Sequence, residues 1–204
     1  MKEQLLIFTR FPEPGTTKTR LAKYLGEEGV VDLQKKLTEH TLSQARLVMQ
    51  IRQVEPIVYF TGGSHALMQD WLGTDLRFLE QGKGDLGQRL QLACAAAFNQ
   101  SSKRVVIIGT DCPGLQAHHL VQAFDALDHK DIILGPATDG GYYLVGMKKN
   151  NRALFTRIHW GTGTVLADTI KAGEKLGLSI ELLDILSDVD RPKDLRHFRH
   201  YPDI

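Results

Sequence analysis

The sequence predicts one α/β domain over residues 1–204, with a Rossmann-like, three-layer α/β/α architecture around a mixed, mainly parallel sheet. Short apolar runs alternate with longer segments of helical periodicity, which is typical of parallel strands covered on both faces by helices. One pair of runs is separated by only a few turn residues. That spacing is too short for a parallel crossover, so it indicates an antiparallel hairpin near the carboxyl edge of the sheet.

Seven short runs, most of them rich in β-branched or aromatic residues, are predicted strands. They span residues 4–9, 56–60, 76–80, 104–109, 131–137, 142–147 and 179–183. The runs Leu5-Leu-Ile-Phe8 and Val105-Val-Ile-Ile108 are continuously apolar, as expected for central strands buried on both faces. The fifth and sixth runs are joined through Asp139-Gly-Gly, and Asp-Gly is a common type I′ turn pair.

The longer segments between the strands are predicted helices that pack on the sheet. They span residues 29–50, 64–72, 86–101, 116–127 and 164–176. Thr162 or Thr164 is the N-cap candidate of the last of these. A further helix start is predicted at Pro192, which suits the first helical position after Asp190 or Arg191.

Composition limits the classes of function. The 42% hydrophobic and 24% charged content is ordinary for a globular domain, and the formal charge of +1 gives no global attraction to nucleic acid or to a membrane surface. Two cysteines, one of them in an apolar helical stretch, give no disulfide framework or zinc site. With no signal-peptide pattern and no membrane-spanning run, we expect a cytoplasmic protein; a homo-oligomer is compatible with the sequence.

The stretch Ile107-Ile-Gly-Thr-Asp-Cys-Pro-Gly114 places one carboxylate where a buried strand ends. In open α/β sheets, ligands bind at the carboxyl ends of the strands. Asp111 is therefore a candidate ligand for a divalent cation that carries phosphates. A turn or helix-capping aspartate is the structural alternative.

A basic loop follows the first strand. It runs from Arg10 through Gly15 to Lys18 and Arg20, where a helix is predicted to begin. Basic side chains in a first helical turn oppose the helix dipole, which is explained if they and the exposed N–H groups face a phosphate. The spacing is not that of a Walker A loop. A solvated basic turn is the alternative.

Two further loops offer contacts to a nucleotide or substrate. Glycines at 82, 84 and 87 let the backbone approach a ligand, with Gln81, Asp85 and Arg89 as candidate base or ribose contacts. Asp85 is equally explained as a helix cap. The other candidate substrate contacts lie at the predicted hairpin and in the loop after it: Asp139, Gly140, Gly141, Tyr142, Trp160 and Thr162.

Acidic residues return after the last predicted strand, and Asp188 and Asp190 lie on one side of an extended segment. Mg²⁺ or Mn²⁺ commonly takes one or two protein carboxylates plus substrate phosphates. Asp111 with Asp190 would suffice, and the choice between Asp188 and Asp190 as the second ligand is open. Acids that stabilise a helix start are the alternative.

Taken together, five segments strongly resemble the DUF2064 family. They are Phe11-Pro-x-Pro-Gly-x-x-Lys-Thr-Arg-Leu21, Gly109-Thr-Asp-Cys-Pro-Gly-Leu115, Gly135-Pro-Ala-x-Asp-Gly-Gly-Tyr-Tyr-Leu144, Trp160-Gly-Thr162 and Asp188-Val-Asp-x-Pro-x-Asp-Leu195. That family belongs to the nucleotide-diphospho-sugar transferase superfamily with the GT-A fold, and some members are described as glycosyltransferases of arsenosugar or radical-SAM gene neighbourhoods.

The resemblance implies a nucleotide-sugar or nucleoside triphosphate over the strand ends, with Asp111 and Asp190 at metal positions and Lys18 and Arg20 in a phosphate-binding loop, as in related sugar nucleotidyltransferases. Asp139 joins Lys18, Arg20 and Asp111 as a catalytic candidate. The usual glycosyltransferase motif Asp-x-Asp here reads Asp111-Cys-Pro113, which favours a site completed by a late acid.

Three hypotheses follow. The first is a metal-dependent transferase that moves a glycosyl group from a nucleotide-diphospho-sugar to a small-molecule acceptor. The second is a nucleotidyltransferase, in which a sugar phosphate or phospho-acid attacks a nucleoside triphosphate and pyrophosphate leaves. The third is a non-catalytic nucleotide-binding protein with the same fold.

Overall fold

A computed structural model describes residues 2–198, with side chains through residue 196. Its strands are β1 Glu3–Arg10, β2 Val54–Thr61, β3 Arg77–Glu80, β4 Arg104–Gly109, β5 Ile132–Pro136, β6 Tyr142–Met147 and β7 Ile180–Leu182. Its helices are α1 Thr19–Ile51, α2 His65–Leu72, α3 Leu86–Asn99, α4 Ala117–Ala126, α5 Val165–Lys175 and α6 Leu195–Phe198. Short 3-10 helices span Arg152–Phe155 and Pro192–Asp194.

The seven strands form one sheet in the order β3-β2-β1-β4-β6-β5-β7. β6 runs antiparallel to both of its neighbours, whereas the other pairs are parallel. The α/β class, the mixed and mainly parallel sheet and the hairpin between β5 and β6 are therefore confirmed. No helix of the described chain is both long and apolar enough to cross a membrane.

Strand alternation sends successive side chains of β1 into two different cores. Leu5 and Ile7 pack under α1, α2 and α4, whereas Leu6 and Phe8 pack under α3 and α5. Because both faces are covered, only the sheet edges and strand ends are open to a ligand. The parallel strands β1, β2 and β4 all end at the same edge.

Helix α1 begins at Thr19, where a helix start was predicted at Lys18 and Arg20, and it continues through the predicted helix of residues 29–50 with a break at Gly26 (φ 73°, ψ 170°). The first turns, up to this break, are held by a small apolar cluster in which buried Leu21 contacts the core formed with Val30 and Val189. Val189 belongs to the segment after β7. The cluster therefore holds the basic start of α1 against the acidic C-terminal segment.

Candidate functional site

A cavity of about 520 Å³ opens at the carboxyl ends of β1, β2 and β4. Its size is in the range of small-molecule sites. The last residues of these three strands, Arg10, Thr61 and Gly109, line it, together with Tyr142 at the start of the antiparallel β6. The sheet thus collects loops from distant parts of the sequence around one space.

Buried hydroxyl groups fix the floor of the cavity. The Thr9 Oγ1 atom lies 3.0 Å from Thr38 Oγ1 and 3.1 Å from Thr110 Oγ1, and the Gln34 side chain donates to Thr38 at 3.1 Å. These contacts join β1, α1 and the loop after β4. Because Thr110 immediately precedes Asp111, the network fixes the position from which that carboxylate projects.

Lys18 connects the basic loop to the acids. Its Nζ donates to Asp111 Oδ1 at 2.6 Å and to the Val189 carbonyl oxygen at 2.7 Å. The Lys18 side chain is only 4% exposed, whereas that of Asp111 is 49% exposed. A buried ammonium needs such partners, and the exposed carboxylate retains free lone pairs toward the cavity.

The second basic residue makes a parallel contact. Arg20 forms an ion pair with Asp190, and the Val189 N–H donates to the Asp111 backbone carbonyl at 2.9 Å. Asp111 and Asp190, which the sequence assigned to one metal site, are thus brought to neighbouring positions, each with its own cation. Arg20 is exposed and lies outside the cavity lining of the described chain.

Asp188 lines the cavity beside the other acids. Burial raises the pKa of its carboxyl group to about 6, and the charges of Asp139 and Asp111 add to that rise. Burial also raises the pKa of the Cys112 thiol, and the charges of the same three carboxylates add to that rise. Three acids are therefore electrostatically coupled in one small volume.

The donor set suits a hard divalent cation, since carboxylate oxygens are what Mg²⁺ and Mn²⁺ prefer. Among residues 2–196, no group of three or more His, Cys, Asp or Glu side chains is arranged to hold a metal by itself. The residues therefore fit an ion that takes one or two carboxylates and completes its coordination with substrate phosphate and water.

Of the three candidate contacts in the glycine loop after β3, two line the cavity and one does not. Gln81 donates from Nε2 to the carbonyls of Thr9 and Tyr59 at 2.9 and 3.1 Å and lines the cavity, as does Arg89. Asp85 instead forms a capping box with Gln88 at the start of α3 and is outside the described lining. The alternative interpretation of Asp85, as the cap of α3, therefore accounts for its contacts.

The opposite wall is aromatic. The rings of Tyr142 and Trp160 meet edge to face with centroids 6.2 Å apart, and both residues line the cavity with Thr162. Tyr143 points to the other face of the sheet, where its hydroxyl donates to the Asp184 carbonyl at 3.1 Å. Strand alternation in β6 thus sends the two tyrosines to opposite faces of the sheet.

Two predicted glycine contacts are placed elsewhere. Gly15 has φ 74° but lies outside the described lining, and so does Gly140. A Cβ at Gly140 would lie 2.2 Å from the Gly163 carbonyl oxygen, so this glycine permits close packing of the hairpin on the 159–164 loop. Gly141 does line the cavity, and its N–H donates to Asp139 Oδ1 at 2.8 Å.

One cluster was not foreseen from the sequence. Asp168 of α5 accepts from His159 Nδ1 at 2.8 Å and from Thr164 Oγ1 at 3.2 Å, which ties down the loop that carries Trp160 and Thr162. The His159 contact also lowers the pKa of the Asp168 carboxyl group. An aspartate in the first turn of α5 was visible in the sequence, but its partner was not.

Comparisons with known proteins agree with this architecture. Residues 44–162, more than half of the chain, match the family described as "Uncharacterized protein conserved in bacteria (DUF2064)". The comparison with curated proteins gives no match. A crystal structure from Desulfovibrio desulfuricans G20, of a protein proposed to be a nucleotide-diphospho-sugar transferase, is 30% identical over 96% of this chain and 85% of that one, with a TM-score of 0.86.

Two more distant structures share the fold. The 4-diphosphocytidyl-2C-methyl-D-erythritol synthase of Anaerococcus prevotii is 13% identical over 99% of this chain and 98% of its own, with a TM-score of 0.66. Glucosyl-3-phosphoglycerate synthase of Mycobacterium tuberculosis, solved with Mn²⁺, UDP and its product, is 13% identical over 96% of this chain and 75% of its own, with a TM-score of 0.61. The chain belongs to the DUF2064 family and has the GT-A-like fold of nucleotide-diphospho-sugar transferases.

Proposed function

We propose that this protein is a metal-dependent transferase that uses a nucleotide-activated donor and moves a glycosyl group from a nucleotide-diphospho-sugar to a small-molecule acceptor. The observation that carries the proposal is the pair of neighbouring ion pairs, Lys18 with Asp111 and Arg20 with Asp190, at the mouth of a nucleotide-sized cavity. Cations and carboxylates in contact are what a phosphate together with a divalent metal ion requires.

The donor would lie over β1 to β3. The described lining has three cationic side chains, Arg10, Lys18 and Arg89, and all come from this half of the cavity. Leu86 and Leu90 add an apolar surface for a base. The start of α1 is also suited to phosphate, because Lys18 occupies its N-cap position without a side-chain cap and leaves the first N–H groups free of a capping side chain.

A divalent ion bound by Asp111 and a carboxylate of the 188–190 segment would supply charge stabilisation for the leaving diphosphate. Lys18 and Arg20 would add hydrogen bonds to the same oxygens. The donor's anomeric carbon forms a bond to an acceptor hydroxyl oxygen, and its bond to the diphosphate breaks with both electrons on the leaving oxygen. Asp139, which lines the cavity, would receive the hydroxyl proton.

Nucleotidyl transfer is the second candidate. Lys18 and Arg20 at a helix start would suit a triphosphate, and the similar synthase from Anaerococcus prevotii is named for a diphosphocytidyl product. In that reaction a sugar phosphate or phospho-acid attacks the α-phosphorus and pyrophosphate leaves. The two reactions differ in their released product.

The test is a panel of nucleotide-sugars and nucleoside triphosphates with Mg²⁺ or Mn²⁺ and mixed acceptors. We expect release of a nucleoside diphosphate that depends on the metal ion. Release of pyrophosphate would select the second candidate. If no nucleotide produces a metal-dependent thermal shift, the protein uses an activated nucleotide in neither reaction. The non-catalytic hypothesis is supported only if a nucleotide binds without turnover.

A further inference from the structure

The charges of the cavity are divided between its two sides. The lining residues between 8 and 112 include all three described cations and a single carboxylate, Asp111. The lining residues between 137 and 190 include Asp139, Asp188 and Asp190 but no lysine, arginine or histidine. An anionic donor therefore meets complementary charge on one side only, and the acceptor must occupy the other side.

We call Asp139, Tyr142, Trp160 and Thr162 the acceptor wall. Its shape is fixed by close backbone contacts. The Gly140 carbonyl accepts from the Leu166 N–H at 3.0 Å, so the hairpin is bound to the start of α5. A Cβ at Gly87 of α3 would lie 2.5 Å from the indole Nε1 of Trp160, so the ring rests directly on that helix.

The acceptor wall is chemically suited to a polyol. An aromatic ring offers an apolar face on which the C–H face of a sugar can pack. The Thr162 hydroxyl is held by the loop itself: it donates to the His159 carbonyl at 2.7 Å, accepts from the Thr164 N–H at 3.4 Å and lies 2.9 Å from Thr164 Oγ1. One oxygen of Asp139 is not used by the Gly141 N–H, so this carboxylate can accept hydrogen bonds from hydroxyl groups of a ligand.

The same wall disfavours an anionic acceptor. In the proposed site the divalent ion compensates Asp111 and one carboxylate of the 188–190 segment, but Asp139 on the acceptor wall keeps its charge. A phosphate or carboxylate on this wall would therefore contact an uncompensated like charge, which costs binding free energy. The acids can accept from a hydroxyl or an amine but can donate nothing when ionised. Lys18 belongs to the donor side of the cavity, where the proposed function assigns it to the diphosphate.

We propose that the acceptor is an uncharged, polyhydroxylated compound of the sugar or sugar-alcohol class, held on the acceptor wall, and not a phosphorylated or carboxylated one. The inference rests on the proposed function, because it assumes that the anionic donor occupies the opposite side. It also separates the two candidate reactions, since a nucleotidyltransferase needs an anionic acceptor.

The test compares neutral compounds with their monophosphates by saturation-transfer NMR, with UDP and Mg²⁺ present and absent. Suitable pairs are glycerol with glycerol 3-phosphate and glucose with glucose 6-phosphate, with arabinitol as a further neutral probe. We expect saturation transfer to neutral members only. Trp160→Leu should weaken their binding about tenfold or more, as truncation of a buried aromatic anchor commonly does.

A charge variant keeps the test decisive if Trp160→Leu fails to fold. Thr162→Lys places a cation on the acceptor wall and should admit the monophosphates, whereas Thr156→Lys, at an exposed threonine outside the cavity lining, should not. Tighter binding of a monophosphate than of its neutral partner to the unaltered protein, or no binding of any neutral member, overturns the inference. Calorimetric titration with UDP, GDP and CDP plus Mn²⁺ judges the proposed function separately.

Discussion

Gly87, near the start of α3, allows a sharp test of how the cavity wall is built. Alanine is favoured over glycine in a helix by up to about 1 kcal/mol. Here, however, a Cβ would lie 2.5 Å from the Phe155 carbonyl oxygen and 2.5 Å from Trp160 Nε1. Both neighbours are held, and overpacking of this kind costs about 1–3 kcal/mol. The steric cost exceeds the helix preference, so Gly87→Ala should lower the free energy of unfolding by about 1–2 kcal/mol.

Gly29→Ala in α1 is the matched control. The helix preference is the same, and the atom nearest to the added Cβ is Leu25 Cβ at 3.0 Å, a milder contact than the two at 2.5 Å beside Gly87. Chemical denaturation should therefore rank Gly29→Ala above Gly87→Ala. A difference of this size corresponds to about 2–8 °C in the melting temperature.

The Gly87 variant should also displace the indole, and hence weaken acceptor binding. Tryptophan emission should change in Gly87→Ala and not in Gly29→Ala. Equal stability and equal emission in the two variants would refute the argument, because it would show that Trp160 does not rest on α3 as the distances require.

Three further predictions concern the charges. Asp188→Asn should stabilise the metal-free protein at pH 8 and not at pH 4. The pKa of Asp188 in the folded protein is about 6, above the ordinary 3.8, so the native state binds this proton more tightly than the unfolded state does. Protonation of Asp188 therefore stabilises the fold at low pH, and that contribution is lost as the pH rises through 6. The shift corresponds to at most about 3 kcal/mol, reduced by solvent in the open cavity, and denaturation with EDTA at both pH values measures it. Lys18→Met should cost about 1–3 kcal/mol by leaving the Val189 carbonyl without its donor, whereas exposed Lys23→Met should cost less than about 0.5 kcal/mol, both by thermal denaturation. Asp111→Asn should abolish metal-dependent nucleotide binding in calorimetry, and unchanged affinity would remove Asp111 from the proposed site.

The fold could be predicted because its strands carry a local signal. The runs at 104–109 and 142–147 match β4 and β6 residue for residue, since continuous apolar sequence and turn residues define them without help from distant contacts. The hairpin followed from the short connection alone. The strand order could not be derived in this way, because it depends on which runs pair across the sheet.

The beginning of α1 shows where local signals fail. Residues 19–25 have no long apolar period, and Gly26 interrupts the helix with a backbone conformation that disfavours other residues. These turns are stabilised by packing of Leu21 against Val189, which lies at the far end of the chain. Only tertiary structure supplies that contact, so the sequence indicated a helix start at Lys18 and Arg20 but not that this start continues into the predicted helix of residues 29–50.

The sequence predicted which residue types meet at the candidate site, but not which side chains pair with each other there. Residue types and strand ends indicated that Asp111, Lys18 and the late acids share one edge of the sheet. Neither the ion pair between Arg20 and Asp190 nor the burial of Asp188 has a sequence signature. Asp85 shows a different limit of sequence analysis. An aspartate at this position is expected both for a capping box and for a ligand contact, so the sequence could not distinguish the two, and the structure shows the capping box.

The two ion pairs also constrain how a ligand would bind. A nucleoside diphosphate brings negative charge to Lys18 and Arg20, and a divalent ion brings positive charge to Asp111 and Asp190. When both bind together, they replace the two internal ion pairs and leave no charge uncompensated. Either one alone would break a pair and leave one partner unmatched. We therefore expect nucleotide and Mn²⁺ to bind cooperatively, each raising the affinity for the other by the same factor. Calorimetric titration of each with and without the other measures that factor, and independent binding would contradict an exchange of partners at these residues.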